Sequence, residues 1–353
     1  MIALVWSAVL LAGLLFSGGS IGLRNIAQTI SGGAASRPAV VVIIYVTLLT
    51  LVNEIIGIPF SFYGGFLIER RYGLSNQTFG GWVLDQLKGL ALGLILGCLA
   101  ASIIYSLIRY SPDSWWLPAG AIFALLIVGL ANLAPVLLLP LFYTVKPLDR
   151  EALRERLMAL ADRASARVLG VYEWGLAAKT KKANAALTGI AGTRRILVSD
   201  TMLADYTEDE IEVVLAHELA HHVHGDIWKG LIFESALILA GFFASARVLR
   251  AWVGWLGLSG PEDIAGLPLL LLTAGAVSIV MLPAAHAMSR HYERQADRFA
   301  LKLTRNPTAF ISAMRRLAAQ NLAEEHPSKL VEWLFYSHPP IRERVDAARR
   351  FQR

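Results

Sequence analysis

The sequence predicts a mainly α, polytopic membrane protein carrying a small α+β domain, and three observations lead to that reading. Of its 353 residues, 55% are apolar and 17% charged, whereas soluble domains carry about 25% charge. Six apolar runs, at 1–18, 39–62, 89–108, 117–142, 229–249 and 266–288, approach the roughly 20 residues that a helix needs to cross a bilayer. Most of the Lys and Arg lie in two polar stretches, 144–228 and 289–353.

Taken in order, residues 1–143 hold four spans, with a cytoplasmic loop at 63–88. The first run lacks the positive n-region and small-residue cleavage site of a signal peptide, so it reads as a retained span. Residues 144–228 form the α+β part. In "LDREALRERLMALADRASARVLG", Leu148, Leu153, Leu157 and Leu160 recur at helical spacing opposite charges. The short runs "VYEWGLA", "ANAALTGI" and "RRILVSDTML" read as strands of a small sheet. Thr207 and Glu210 then make a T-x-x-E capping box opening a helix through 213–226. Residues 229–288 supply two spans, and 289–353 a helical tail broken at Pro307, Pro327 and Pro339-Pro340.

The net charge of +6 does not indicate nucleic acid, because the basic residues follow topology. They are sparse in the presumed outer loops 19–38, 109–116 and 250–265, and present at Arg70, Arg71 and Lys88. The positive-inside rule then places both termini and the polar segments in the cytoplasm, facing anionic lipid. The single cysteine, Cys98, permits no intramolecular disulfide.

The stretch "VVLAHELAHHVHGD", residues 213–226, contains H-E-x-x-H at 217–221. On a helix, positions i and i+4 lie about 40° apart, so His217 and His221 reach one ion. Glu218 stands beside that ion, able to take a proton from water. His224 is about 10 Å farther along the axis than His217, too far to share an ion, and His222 points about 100° away from His221. A metzincin would need Gly and His at 224 and 227, where this chain has His224 and Ile227. The third ligand is therefore sought in "SRHYERQADRFA" (289–300). There Glu293 and Asp297 share a face, one to bind zinc and the other to accept a ligand histidine's second N–H. This E-x-x-x-D pattern is the gluzincin layout.

Together with "GIPFSFYGGFLIERRYGLSNQT" (57–78), "ANAALTGIAGTRRILVSDTML" (183–203) and "YSHPPIRERV" (336–345), these motifs resemble the type I CAAX prenyl endopeptidases. The resemblance covers roughly 40–350. It implies one Zn2+ per chain on His217, His221 and Glu293, with Glu218 as general base and Asp297 behind a ligand histidine. It also implies that Asn184 lies on a strand pairing with an extended peptide, and that His338 and Arg344 stabilise the oxyanion. The implied fold is a ring of transmembrane helices around a hydrated chamber. Asn53, Glu54, Asn132, Glu234 and His286, costly against lipid, would then face a cavity or another helix. Two departures stand out. The family has seven spans against six here, so its first helix is expected to be absent, leaving a gap or calling for a partner. Ala186 replaces the aromatic that usually follows Asn-Ala.

The expected activity is a membrane-embedded zinc endopeptidase acting on a peptide or protein substrate, near the C terminus of prenylated tails. Broad quality control of membrane proteins would use the same site. A zinc transporter or sensor, or an inactive scaffold for lipidated tails, would not require Glu218. The short chain, Ala/Leu-rich spans and scarce cysteine point to a bacterial inner membrane. Substrate and oligomeric state stay open.

Overall fold

The structure, a computed structural model, describes residues 2–33, 38–189, 193–322, 324 and 327–352. Every candidate site residue lies within them, while residues 190–192 of the 183–203 motif fall outside. The chain divides into two compact units.

The first unit comprises Met1–Ile68, Phe79–Ile127 and Ile232–Val280. The run at 1–18, expected to be a retained span, forms α1 (Ile2–Phe16), and the presumed outer loop after it contains α2 (Gly19–Ile30). The two are bent by 76° where Gly18 adopts φ 78°, a conformation that costs glycine little. α2 is tied down by polar contacts. Its buried Ser20 hydroxyl lies 2.6 Å from the Tyr45 hydroxyl and donates to the Ala265 carbonyl, and Arg24 pairs with the buried carboxylate of Asp263. Next come α3 (Pro38–Ser61), which continues through a π-helical turn (Phe62–Ile68) into α4 (Glu69–Arg71), then α5 (Phe79–Tyr110) and α6 (Trp116–Leu137). Phe62, Phe66, Phe79 and Trp82 pack ring against ring beside that turn. A Cβ on Gly120 of α6 would run into the Leu239 side chain, so glycine permits the close approach of that helix to α11 (Asp226–Trp252). Among the described residues, five helices are long and apolar enough to cross a membrane: Pro38–Arg71, Phe79–Tyr110, Trp116–Leu137, Asp226–Trp252 and Ile264–Thr304. The bent pair would make a sixth if counted as one span.

The second unit comprises Glu69–Thr78, Val128–Leu231 and Met281–Arg353. The short α7 (Leu139–Phe142) leads into β1 (Val145–Pro147), which the sequence reading did not contain. α8 (Glu151–Arg163) follows, with Leu153, Leu157 and Leu160 fully buried, each contributing roughly 1.5–3 kcal/mol of apolar burial. The three foreseen strands form as β2 (Val171–Trp174), β3 (Ala185–Thr188) and β4 (Arg195–Ser199). The sheet order is β1-β2-β4-β3, with β2 and β4 parallel and the other pairs antiparallel. β3 is therefore an edge strand. The loop at 69–78 braces the segment leading into it: Lys181 N–H donates to Leu74 O at 2.9 Å, Asn76 N–H to Lys179 O at 3.0 Å, and Lys182 reaches Glu69. After α9 (Asp200–Asp205) come α10 (Glu208–Val223), α11, α12 (Leu267–Thr304), α13 (Pro307–Gln320), α14 (Lys329–Phe335) and α15 (Ile341–Phe351).

Some of the costly polar residues find partners. Asn53 accepts from Ser7, Asn132 from Thr193, and His286 Nδ1 lies 2.8 Å from the Leu334 carbonyl.

Candidate active site

α10 starts where the sequence placed it. Thr207 Oγ1 accepts the Glu210 N–H, and the Glu210 carboxylate accepts the Thr207 N–H, a reciprocal cap typically worth about 1 kcal/mol. Glu210 is buried and also accepts from Ser312 Oγ (2.5 Å) and Arg316 Nε (3.1 Å). Burial pushes its carboxyl up, but these hydrogen bonds and the Arg316 charge outweigh it and hold its pKa below the usual range. The end of α10 that carries the histidines is thus fixed from its beginning.

Two turns on, the rings of His217 and His221 stand with centroids 5.0 Å apart. Each uses Nδ1 on a buried carboxylate: His217 on Asp297 Oδ1 at 2.9 Å and His221 on Asp226 Oδ2 at 3.1 Å. With both Nδ1–H groups donated in this way, each Nε2 keeps its lone pair for a metal. The Nε2 atoms face Glu293 of α12, with His217 Nε2 3.2 Å from Oε2 and His221 Nε2 3.5 Å from Oε1. Despite that 3.2 Å approach, Glu293 Oε2 is buried without a hydrogen-bond partner. The groups aim at a common point rather than at each other. Ligand atoms about 2.0–2.1 Å from a tetrahedral centre stand about 3.3 Å apart, and the observed 3.2 and 3.5 Å lie on either side of that value. Among the described residues, His217, His221 and Glu293 are the one His/Cys/Asp/Glu group whose ligand atoms all fall within 4.8 Å of one another. They fit a tetrahedral cation site.

The electrostatics agree. Burial presses the His217 imidazole toward neutrality, but Asp297 and Glu293 overcome it and push its pKa to about 9. The two carboxylates favour a positive charge between them, whether a proton or a metal cation. Burial raises the Glu218 carboxyl, against the opposing pull of His217 and His221, giving a group with raised proton affinity next to the two histidines.

His338 lies on the turn between α14 and α15. Its Nε2 is 3.4 Å from Glu293 Oε1, its Nδ1 2.9 Å from Ser337 Oγ, and its side chain is 61% exposed. The turn is held by buried Arg290, whose Nη1 donates to the carbonyls of Glu332 and Tyr336. Arg344 is buried: Nε donates to Asp297 Oδ2 at 2.8 Å and Nη2 to Oδ1 at 2.6 Å, with Nη2 4.0 Å from Glu293 Oε2. Its planar fork matches the carboxylate as a bidentate pair does. Asn184 immediately precedes β3, exposed; its C=O accepts the Ser199 N–H at 2.9 Å and its N–H donates to Ser199 Oγ at 2.9 Å. Because that pair is hydrogen-bonded, the antiparallel alternation turns the N–H and C=O of Ala185 and Leu187 outward. His222 turns to the Leu187 carbonyl, and burial followed by the Arg194 charge lowers its pKa to about 4. His224 caps α10 and its ring packs on Phe299. Neither belongs to the cluster, as their helical angle and rise required.

Asp226 is the site residue that sequence reasoning missed. α10 stops at Val223, Gly225 takes φ 68°, and α11 starts at Asp226. The break swings the carboxylate back to His221. A glycine-acid pair just past H-E-x-x-H was the available signal.

The family model described as Peptidase family M48 matches residues 147–352, and one described as CAAX prenyl protease N-terminal, five membrane helices, matches residues 1–144. The chain belongs to peptidase family M48. Among its relatives, the "Uncharacterized metalloprotease YhfN" of Bacillus subtilis is 31% identical over 308 residues, 86% of this chain and 72% of that protein. "Probable CAAX prenyl protease 1" of Schizosaccharomyces pombe is 28% identical, over 85% of this chain and 64% of that protein. "CAAX prenyl protease 1 homolog" of Homo sapiens is 25% identical, over 86% of this chain and 73% of that protein. The crystal structure of S. mikatae Ste24p superposes with a TM-score of 0.86 at 22% identity, covering 97% of this chain and 84% of that one, which establishes the shared fold. This M48 peptidase is thus an integral-membrane metalloprotease, a hydrolase of peptide bonds, and the family match extends over residues 1–39 as well as the stretch from 40 onward.

Proposed function

We propose that this M48 peptidase is a zinc endopeptidase with one zinc per chain, held by His217, His221 and Glu293, and that its substrates are prenylated C-terminal tails. The observation that carries the metal assignment is the convergence of two Nε2 atoms and an orphaned, buried Oε2 on one point, with Glu218 adjacent in sequence to a ligand. When bound, zinc would polarise a peptide carbonyl and acidify a water.

The rest is done by the chain itself. Asp297 and Asp226 fix the tautomer and orientation of the two histidines. Glu218, its proton affinity raised by burial, takes a proton from the attacking water and passes it to the leaving amine. His338, open on one side and tethered beside Glu293, donates to the oxygen of the tetrahedral species, and Arg344 adds positive charge to that side while holding Asp297. The outward N–H and C=O of Ala185, next to Asn184, pair with an extended peptide. Pairing of this kind fixes the backbone and tolerates varied side chains.

The prenylated substrate class rests on the names of the relatives, together with the 57–78 motif, whose 69–78 part braces the segment leading into β3. The six-span topology, with the metal domain and both termini in the cytoplasm of a bacterial inner membrane and the helices ringing a chamber, belongs to the same proposal. Cleavage of a farnesylated CAAX-type peptide and its unprenylated twin by detergent-purified, zinc-loaded protein tests it, with Glu218→Ala as the blank. Preference for the farnesylated peptide supports lipidated tails. Equal cleavage of both refutes the prenyl requirement and favours broad quality control, the second use this site permits. Zinc bound with neither peptide cut refutes the substrate assignment.

A further inference from the structure

Behind the metal cluster, the far half of α12 and the length of α15 enclose a cavity of about 240 Å³. Seven of its eleven lining residues are ionisable, five cations and two carboxylates. Both carboxylates are already taken. Asp297 is bound by Arg344, and Glu343 accepts from Arg294 Nε at 2.6 Å and Nη2 at 3.3 Å. That leaves Arg298, Lys302 and Arg350, which have no ion pair or hydrogen bond among the described residues. The C-terminal dipoles of the two helices account for part of this, since Lys302 lies in the last turn of α12 and Arg350 in the last turn of α15. Arg298 lies more than a turn back from the end of α12 and has no such reason to be there.

Arg344 is the second, independent observation. It lines the same cavity and is 8% exposed. Its Nε and Nη2 are bonded to Asp297 and Nη2 also lies 3.3 Å from His217 Nδ1, while Nη1 makes no hydrogen bond among the described residues. A guanidinium that keeps one nitrogen unbonded, on the wall of a cavity of uncompensated cations, calls for an acceptor carrying more than one charge. A carboxylate would answer one cation. A tetrahedral oxyanion presents enough acceptors for the planar Arg forks and the Lys point charge together.

We infer that this cavity is a binding site for a phosphate group, seated on Arg298, Lys302 and Arg350 with Arg344 Nη1 at its floor. Two sources share that chemistry, a phospholipid headgroup and a soluble phosphate-bearing molecule. The site is separate from the peptide-cleaving groups but touches them through one residue, since Arg344 also holds Asp297, which holds His217.

The test titrates inorganic phosphate into the detergent-solubilised full chain at fixed ionic strength set with chloride, followed by phosphorus NMR. Saturable binding that sulfate competes away and chloride does not is expected. The triple variant Arg298→Ser, Lys302→Ser, Arg350→Ser should bind about tenfold more weakly or not at all, with an unchanged thermal midpoint because all three side chains are exposed. Should that variant misfold, the sulfate-against-chloride competition on the wild type still decides. Non-saturating binding, or equal affinity in a folded variant, overturns the site. Reconstitution into phosphatidylcholine vesicles with and without phosphatidic acid separates the sources. Loss of free-phosphate binding only with phosphatidic acid identifies a headgroup, and persistence identifies a soluble ligand. None of these readouts requires the peptidase proposal to hold.

Discussion

Replacing Asp297 with Asn tests whether the buried carboxylate, rather than the ligand set alone, makes the metal site. Asp297 Oδ1 accepts from His217 Nδ1 at 2.9 Å and Arg344 Nη2 at 2.6 Å, and Oδ2 accepts from Arg344 Nε at 2.8 Å. An asparagine keeps one acceptor. With its oxygen toward His217, its NH2 meets the Arg344 Nε–H donor to donor. Flipped, the NH2 faces His217 Nδ1, which must then accept, moving the ring proton to Nε2 and removing the lone pair that faces Glu293. Either way, one partner is lost. Loss of such an outer partner typically weakens metal affinity 10–100-fold, or about 1.4–2.7 kcal/mol. Asp297→Asn also strips the buried Arg344 of its counter-charge, a change that costs up to about 3–5 kcal/mol of stability. The two effects separate in the double variant Asp297→Asn/Arg344→Met, which removes the stranded charge. Zinc affinity is measured by competition with a chromogenic chelator, alongside the thermal midpoint. The expected outcome is a midpoint that falls in the single variant and recovers in the double, with zinc affinity reduced in both. A folded Asp297→Asn protein binding zinc as the wild type does would refute the orienting role.

Glu218→Gln should keep its metal in the same competition assay yet lose peptide cleavage by about 10²–10⁴-fold in kcat, the usual span for a general base. Asp226→Ala should weaken zinc binding by about 10–100-fold through His221, and unchanged affinity would show that the 3.1 Å contact is not needed. His338→Ala should lower kcat by about 10²–10³-fold with KM little changed, as expected when a donor acts in the transition state; a pure KM effect would count against that role. Glu210→Gln carries a pH signature. The folded pKa of Glu210 lies below its ordinary value of 4.5, so its stabilisation is present above that pH and fades as pH falls through the folded value. The thermal midpoint of the variant should therefore trail the wild type at pH 7, and the gap should close in acid.

Much of the site was legible because its determinants are local. The i, i+4 spacing of His217 and His221, like that of Glu293 and Asp297, places each pair on one helical face whatever surrounds it. The capping box at Thr207 and Glu210, and the leucine stripe through Leu153, Leu157 and Leu160, are local in the same way. What the sequence hid depends on backbone direction or on partners distant in the chain. Apolar length in 1–18 reports that the segment avoids water, yet only the left-handed φ of Gly18 reveals the bend. β1 is three residues long and exists because Val171–Trp174 lies beside it, which no periodicity over so short a run can signal.

Asp226 and Arg344 belong to that second kind, and together they indicate how the centre is assembled. Each histidine of the proposed metal site on α10 is oriented by a carboxylate from a different helix, Asp297 from α12 and Asp226 from the first turn of α11. One of those carboxylates is in turn held by α15 through Arg344, and the other by Lys229 Nζ at 2.9 Å. The two supports differ in burial. Arg344 keeps 9% of its side chain exposed and Lys229 keeps 44%, so water screens the lysine pair and an exposed pair of this kind is worth only about 0–1 kcal/mol. The His217 side is therefore the stiffer half of the cluster. Removing Lys229 should leave metal affinity nearly unchanged, whereas removing Arg344 should not, although each is one step removed from a ligand.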